Sequence, residues 1–165
     1  MFSANDIIES YVARWNSNFS QLNFDPTRFV LDMVLNSGEN ILDNAQNHEI
    51  SDALDHMTLN SMQAISGLNY LEGKRILKEF QPEKPGRITY ETNTSDTHVT
   101  IDISDNGPGI DDKIIQTLFE YGTSTKSTQG SGLNDSRKGM EYLGGRLYVL
   151  DTNHKSTTFR IEIPK

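Results

Sequence analysis

The chain has 165 residues, enough for one domain with a proper hydrophobic core, and no long Pro, Gly or Ser tract divides it in two. Acidic residues outnumber basic ones 23 to 15, for a formal net charge of -8, which argues against nucleic acid as a partner but leaves room for a small anion held by backbone amides and a few local cations. Cysteine is absent, which excludes disulfides and thiolate metal sites; no apolar run approaches membrane-spanning length and the start lacks the form of a signal segment, so a cytoplasmic protein with no direct membrane contact is expected.

Asn5–Asn18 is predicted to be an amphipathic helix, because Ile7, Ile8, Tyr11, Val12 and Trp15 recur at helical spacing with polar residues between them. Residues 1–26 are taken as an N-terminal helix and linker, and 27–165 as the main domain. The apolar run Arg28–Leu35 suits a strand, and Asn36-Ser37-Gly38 is turn chemistry. Over Glu49–Ser66 a long helix is predicted, with Ile50, Leu54, Met57, Ser61 and Ala64 on one side and Asp52, His56, Asn60 and Gln63 on a polar working face. Gly67–Gly86, which contains Pro82 and Pro85, reads as a loose charged connection. Arg87–Glu91 and His98–Ser104 form a predicted hairpin, Asp111–Glu120 a short helix, Tyr121–Gly132 a loop of small residues and Ser136–Leu143 another helix. Past the Gly144-Gly145 break, Arg146–Leu150 and Thr157–Ile163 are the last strands, with Phe159, Ile161 and Ile163 alternating as in a half-buried strand. The expected fold class is α+β: a two-layer sandwich of a mixed, mostly antiparallel sheet covered on one face by helices.

The strongest local signal is Asp105-Asn106-Gly107-Pro108-Gly109-Ile110, where a buried strand ends and a helix begins. The glycines admit backbone angles closed to other residues and let a flat ligand approach the main chain, while the aspartate is a fixed acceptor for an exocyclic amine. That combination suits adenine; an ordinary Asn-Gly-Pro-Gly turn is the bland alternative. Downstream come Phe119, then Gly122-Thr123-Ser124-Thr125-Lys126, then Gly130-Ser131-Gly132-Leu133 running into a helix that carries Arg137 and Lys138. Small residues allow a loop to fold over a ligand, successive amides and a helix start can face anionic oxygens, and Lys126 adds a mobile positive charge. A flexible linker has a similar composition.

In this order the segments resemble the ATPase superfamily of histidine kinases, type II topoisomerases, mismatch-repair ATPases and heat-shock chaperones, over Phe29–Lys165. That family carries an Asn-bearing helix, an Asp-x-Gly-x-Gly turn, a Phe-containing lid segment and a Gly-x-Gly second turn; Ser156–Pro164 is also similar to the last strand of kinase catalytic domains. The resemblance implies the Bergerat fold with a flexible ATP lid, and ATP and Mg2+ as cofactors. It implies a nucleotide site of Asn60, Gln63, Asp105, Gly107, Gly109, Ile110, Phe119, Gly122, Thr123, Ser124, Thr125, Lys126, Gly130, Ser131, Gly132, Leu133 and Thr157. Within it, Asp105 would read adenine with support from Thr157, and Asn60 would bind Mg. Asn44 competes with Asn60 for the helix position but leaves an unusually long segment before Asp105, and His56-Met57-Thr58-Leu59-Asn60 is similar to chemotaxis-type kinases; Asn60 is preferred. His56 is a second catalytic candidate. It stands where hydrolases of the superfamily carry a water-activating glutamate, which tilts the expectation from hydrolysis toward phosphotransfer.

Asn134-Asp135 departs from the glycine that many kinases carry there. His48-Glu49 mimics the start of a phosphoacceptor box but lies too near Asn60 to be one. The expected function is therefore that of a protein-histidine kinase domain, with a phosphoacceptor and dimerisation domain in the same or another polypeptide and a response regulator as partners. The alternatives are a stand-alone serine kinase of anti-sigma-factor type and a nucleotide-gated interaction module without turnover.

Overall fold

Alternation builds the sheet. In β4 (Gly86–Thr94), β5 (His98–Asp105) and β7 (Ser156–Pro164) one side of each strand is buried: Ile88, Tyr90 and Thr92; Val99, Ile101 and Ile103; Thr157, Phe159, Ile161 and Ile163. Side chains of period two demand that this side meet a second layer. The computed structural model describes residues 3–18, 29–38, 42–65, 68–71, 74–77, 85–120 and 132–165. Its main sheet has five strands in the order β1-β4-β5-β7-β6, with β1 (Phe29–Leu35) parallel to β4 and every other neighbour antiparallel, β6 being Arg146–Asn153. The register sets Ile101 opposite Ile161, Ile103 opposite Phe159, and Asp105 opposite Thr157.

Three helices supply the second layer. In α1 (Ala4–Asn18) Ala4, Ile7, Ile8, Tyr11, Val12 and Trp15 are buried, and α2 (Asn44–Ile65) buries Ile50, Ala53, Leu54, Met57 and Met62. From α4 (Gly132–Tyr142) come Ser136 and Met140. All the apolar members join the inward strand residues in one core, as the two-layer α+β expectation requires. A buried chain of hydroxyls crosses it: Tyr11 donates to Thr58 Oγ1 at 2.9 Å, and Thr58 Oγ1 lies 2.7 Å from the Tyr90 hydroxyl, joining α1, α2 and β4.

Several elements differ from expectation, and β4 and β6 run on to Thr94 and Asn153, past the expected Glu91 and Leu150. The long helix begins at Asn44 rather than Glu49, because Asp43 accepts from the Gln46 backbone N–H at 2.8 Å while the Gln46 side chain accepts from Asp43 N–H at 2.9 Å, a reciprocal cap. Gly67–Gly86 is not wholly irregular: β2 (Leu68–Leu71) and β3 (Lys74–Leu77) pair as a separate antiparallel sheet, a pattern that the charges and prolines around it hid. The helix expected over Asp111–Glu120 is only the single turn α3 (Asp112–Ile115), capped by Asp111; Thr117 and Leu118 then bond three residues back instead of four, which tightens the chain out of the α-helix. α4 starts four residues before the expected Ser136. The expected loop Tyr121–Gly132 lies outside the described residues up to 131, and so does the boundary at residue 26.

Candidate functional site

Asp105 is the last residue of β5 and is 7% exposed. Its Oδ1 accepts from Gly107 N–H at 2.9 Å, its Oδ2 from Ser61 Oγ at 2.7 Å, and the carboxyl also accepts from the Thr157 backbone N–H. Burial pushes its pKa above the ordinary carboxylate value, and these three donors oppose the shift without reversing it. The group is thus fixed in place, and of the roughly four lone-pair sites of a carboxylate these three bonds leave about one for a ligand.

The turn that follows is strapped to its neighbours. Gly107 backs onto α2, where an added Cβ would lie 3.7 Å from Ala64 Cβ and 2.8 Å from Asp105 Oδ1. Gly109 has φ of 78°, and its missing Cβ would fall 1.8 Å from the Asn153 carbonyl oxygen, so only glycine passes here. Ile110 N–H donates to Thr152 Oγ1 at 2.9 Å, and that hydroxyl is 3.3 Å from the buried Thr157 Oγ1. The ends of β5, β6 and β7 therefore meet over the last turns of α2.

On α2, His56, Asn60 and Gln63 are half-buried and spaced to share a face. Asn60 immediately precedes Ser61, the residue bonded to Asp105, on the helix. Asn44, the competitor, begins the same helix sixteen positions earlier, and His48 is exposed and 3.6 Å from Asp52. One turn before Asn60, His56 Nδ1 lies 2.8 Å from Ser136 Oγ of α4. At the head of α4, Gly132 lies against the His56 ring and Leu133 packs on the core. Phe119 meets Phe159 edge-on at 6.4 Å, lies under the Arg137 guanidinium, and its carbonyl accepts from Asn134 Nδ2 at 2.7 Å. The asparagine that departs from the usual glycine thus joins the segments on either side of the expected lid.

Of the expected constellation, Gly122, Thr123, Ser124, Thr125, Lys126, Gly130 and Ser131 lie outside the described residues. Of the remainder, Asp105, Gly107, Gly109, Ile110 and Thr157 gather at one sheet end, and His56 gathers with Gly132. Ser61 and Thr152 were missed. Ser61 carried a signal, since a hydroxyl among the buried positions of α2 must find a partner; Thr152 carried none, lying past the expected strand end at Leu150.

Among the described residues no group of three or more His, Asp or Glu side chains can hold a metal. The oxygen donor expected for the metal is the neutral amide of Asn60. That donor set does not suit a protein-only metal cage, and it does suit Mg2+, which keeps waters and takes phosphate oxygens.

Residues 36–165 match the sequence model of a family described as histidine kinase-, DNA gyrase B-, and HSP90-like ATPase. The sensor protein FixL of Bradyrhizobium diazoefficiens is 32% identical over 85 residues, covering 51% of this chain and 17% of that protein. Chemotaxis protein CheA of Listeria monocytogenes is 27% identical over 164 residues, covering 81% of this chain and 26% of that protein. This chain therefore spans about a quarter or less of these relatives' length. The solved structure of full-length ShkA in complex with AMPPNP superposes with a TM-score of 0.73 at 14% identity, covering 99% of this chain and 30% of that one, a likeness of fold.

Proposed function

The chain belongs to the histidine kinase-, DNA gyrase B- and HSP90-like ATPase family, and from that premise we propose that it is the ATP-binding catalytic domain of a sensor histidine kinase. In this reading it passes the ATP γ-phosphate to a histidine on a phosphoacceptor and dimerisation domain, and a response regulator receives the phosphate next. The observation that carries the reading is Asp105, a buried carboxylate held by Gly107, Ser61 and Thr157 at the mouth of a glycine turn. Burial makes such a group costly, and perturbed carboxylates of this kind cluster at functional sites.

The residues divide the work as follows. Asp105 accepts the adenine amine through its remaining lone pair, and Gly107 and Gly109 let the flat ring reach the backbone. The Thr157 hydroxyl supports the ring directly or through water. Asn60 offers its amide oxygen to Mg2+, with Gln63 beside it, and the bound metal neutralises charge on the triphosphate. The first amides of α4, at Gly132 and Leu133, point toward anionic oxygens as helix starts do. Residues 122–126 and 130–131, Lys126 above all, complete the phosphate contacts in this reading.

No carboxylate stands at His56 to activate water, so the site favours a protein acceptor over hydrolysis. Relatives named as a sensor protein and a chemotaxis protein support the signalling role and a cytoplasmic setting. Incubation with γ-labelled ATP, Mg2+ and a histidine-bearing dimerisation domain tests the transfer. The reading predicts label on the acceptor that is acid-labile and base-stable, and none with Asp105→Asn. Acid-stable label on serine would instead support the anti-sigma-factor type of kinase, and nucleotide binding without any transfer would support the interaction module.

A further inference from the structure

Ser136 is buried in the first turns of α4, and its hydroxyl oxygen lies 2.8 Å from the Gly132 carbonyl oxygen and 2.8 Å from His56 Nδ1. A carbonyl has no proton to give, and a serine hydroxyl has one. The contact with Gly132 therefore uses the Ser136 proton, and Oγ meets Nδ1 as an acceptor. We infer that Ser136 is a positioning residue that fixes His56 as the Nδ1–H tautomer, leaving the Nε2 lone pair to accept from an N–H or O–H group in the nucleotide site. The inference rests on the reading of α2 and α4 as walls of that site.

A second contact places the other edge of the ring. A Cβ on Gly132 would lie 3.0 Å from His56 Cδ2 and 3.5 Å from Nε2, so this edge runs along the glycine that opens α4 and needs its missing side chain. Gly132 and Ser136 are four residues apart and present one face of α4 to the imidazole. In the Nδ1–H form Nε2 meets a phosphate oxygen lone pair to lone pair, so Nε2 cannot donate a hydrogen bond to phosphate while the ring is neutral. It is set instead to take a hydrogen bond or a proton from the acceptor side of the reaction. Removing the Ser136 hydroxyl frees Nδ1, and the ring relaxes to the Nε2–H form that free histidine prefers.

The test is nitrogen-15 NMR of the ring nitrogens of the full chain, at a pH where the imidazoles are neutral. Four histidines are present, and loss of one pattern in His56→Gln assigns the right one. Wild type should show a protonated Nδ1 and an unprotonated Nε2, Ser136→Thr should keep that pattern, and Ser136→Ala should exchange the two nitrogens. A merely structural serine would change the melting temperature without exchanging them. An Nε2–H pattern in wild type, or an unchanged pattern in Ser136→Ala, overturns the inference; if Ser136→Ala does not fold, Ser136→Cys, a weak acceptor of similar size, takes its place.

Adding Mg2+ and AMPPNP to the same samples, with calorimetry alongside, separates this inference from the reading beneath it. Binding should shift the wild-type Nε2 resonance. Binding that leaves His56 unmoved defeats the role given to Nε2 and spares the ATP reading. Absence of binding defeats the ATP reading, and the role of Nε2 falls with it.

Discussion

Asp105 stands where two demands conflict: ligand recognition wants an ionised acceptor, and burial opposes ionisation. Because its folded pKa lies above the ordinary 3.8, the folded chain holds this proton more tightly than the unfolded chain does. The favourable contribution of the group is therefore full at low pH and is lost as pH rises from 3.8 through the folded value. Denaturation of wild type and Asp105→Asn across that range should show wild type losing ground to the variant as pH rises, while the variant loses nucleotide binding. Gly109→Ala should cost at least about 2 kcal/mol in a denaturant titration, through left-handed strain and the clash with the Asn153 carbonyl. Gly38→Ala, which meets nothing within 4 Å, should stay within about 0.5 kcal/mol of wild type. The turn of Asp105 and the two glycines was legible because a tight turn writes its needs into adjacent residues. Ser61 and Ser136 act through partners 44 and 80 positions away, and no local pattern records which helix will cross which.

The helices were legible where an apolar stripe runs their length, as in α1 and the body of α2. Their ends were less so, because caps compete locally: the Asp43 and Gln46 cap extends α2 backward, and tightened turns cut α3 short. The four-residue strands β2 and β3 are too brief for alternation to rise above the surrounding charge. α1 is outside the matched family segment yet shares the core, and its polar tie is the Tyr11, Thr58 and Tyr90 chain. Burial pushes both phenols well above their ordinary pKa, so both stay neutral and must be satisfied as hydroxyls. Thr58→Val keeps the shape and removes the shared partner. It should cost about 1–3 kcal/mol in thermal or urea unfolding. Nucleotide affinity should hold, because the Thr58 hydroxyl bonds Tyr11 and Tyr90, neither of them a residue of the proposed site.

The sheet order is what turns these pieces into one site. Pairing β5 with β7 sets Asp105 beside Thr157, although 52 positions separate them, and pairing β7 with β6 brings Thr152 to the same end. α2 then runs across that end, with Ser61 bonded to the carboxylate and Asn60 preceding it in the helix. An α+β sandwich follows from alternation and amphipathic spacing alone, but the strand order does not, since it depends on which long-range pairings win.

Calorimetric titration with AMPPNP, with and without Mg2+, tests the central claim most directly, on wild type, Asp105→Asn and Asn60→Ala. The account predicts dissociation constants on the order of micromolar for wild type with Mg2+, no binding for Asp105→Asn, and binding by Asn60→Ala that no longer responds to Mg2+. Wild type that fails to bind, or Asp105→Asn that binds as wild type does, would contradict it.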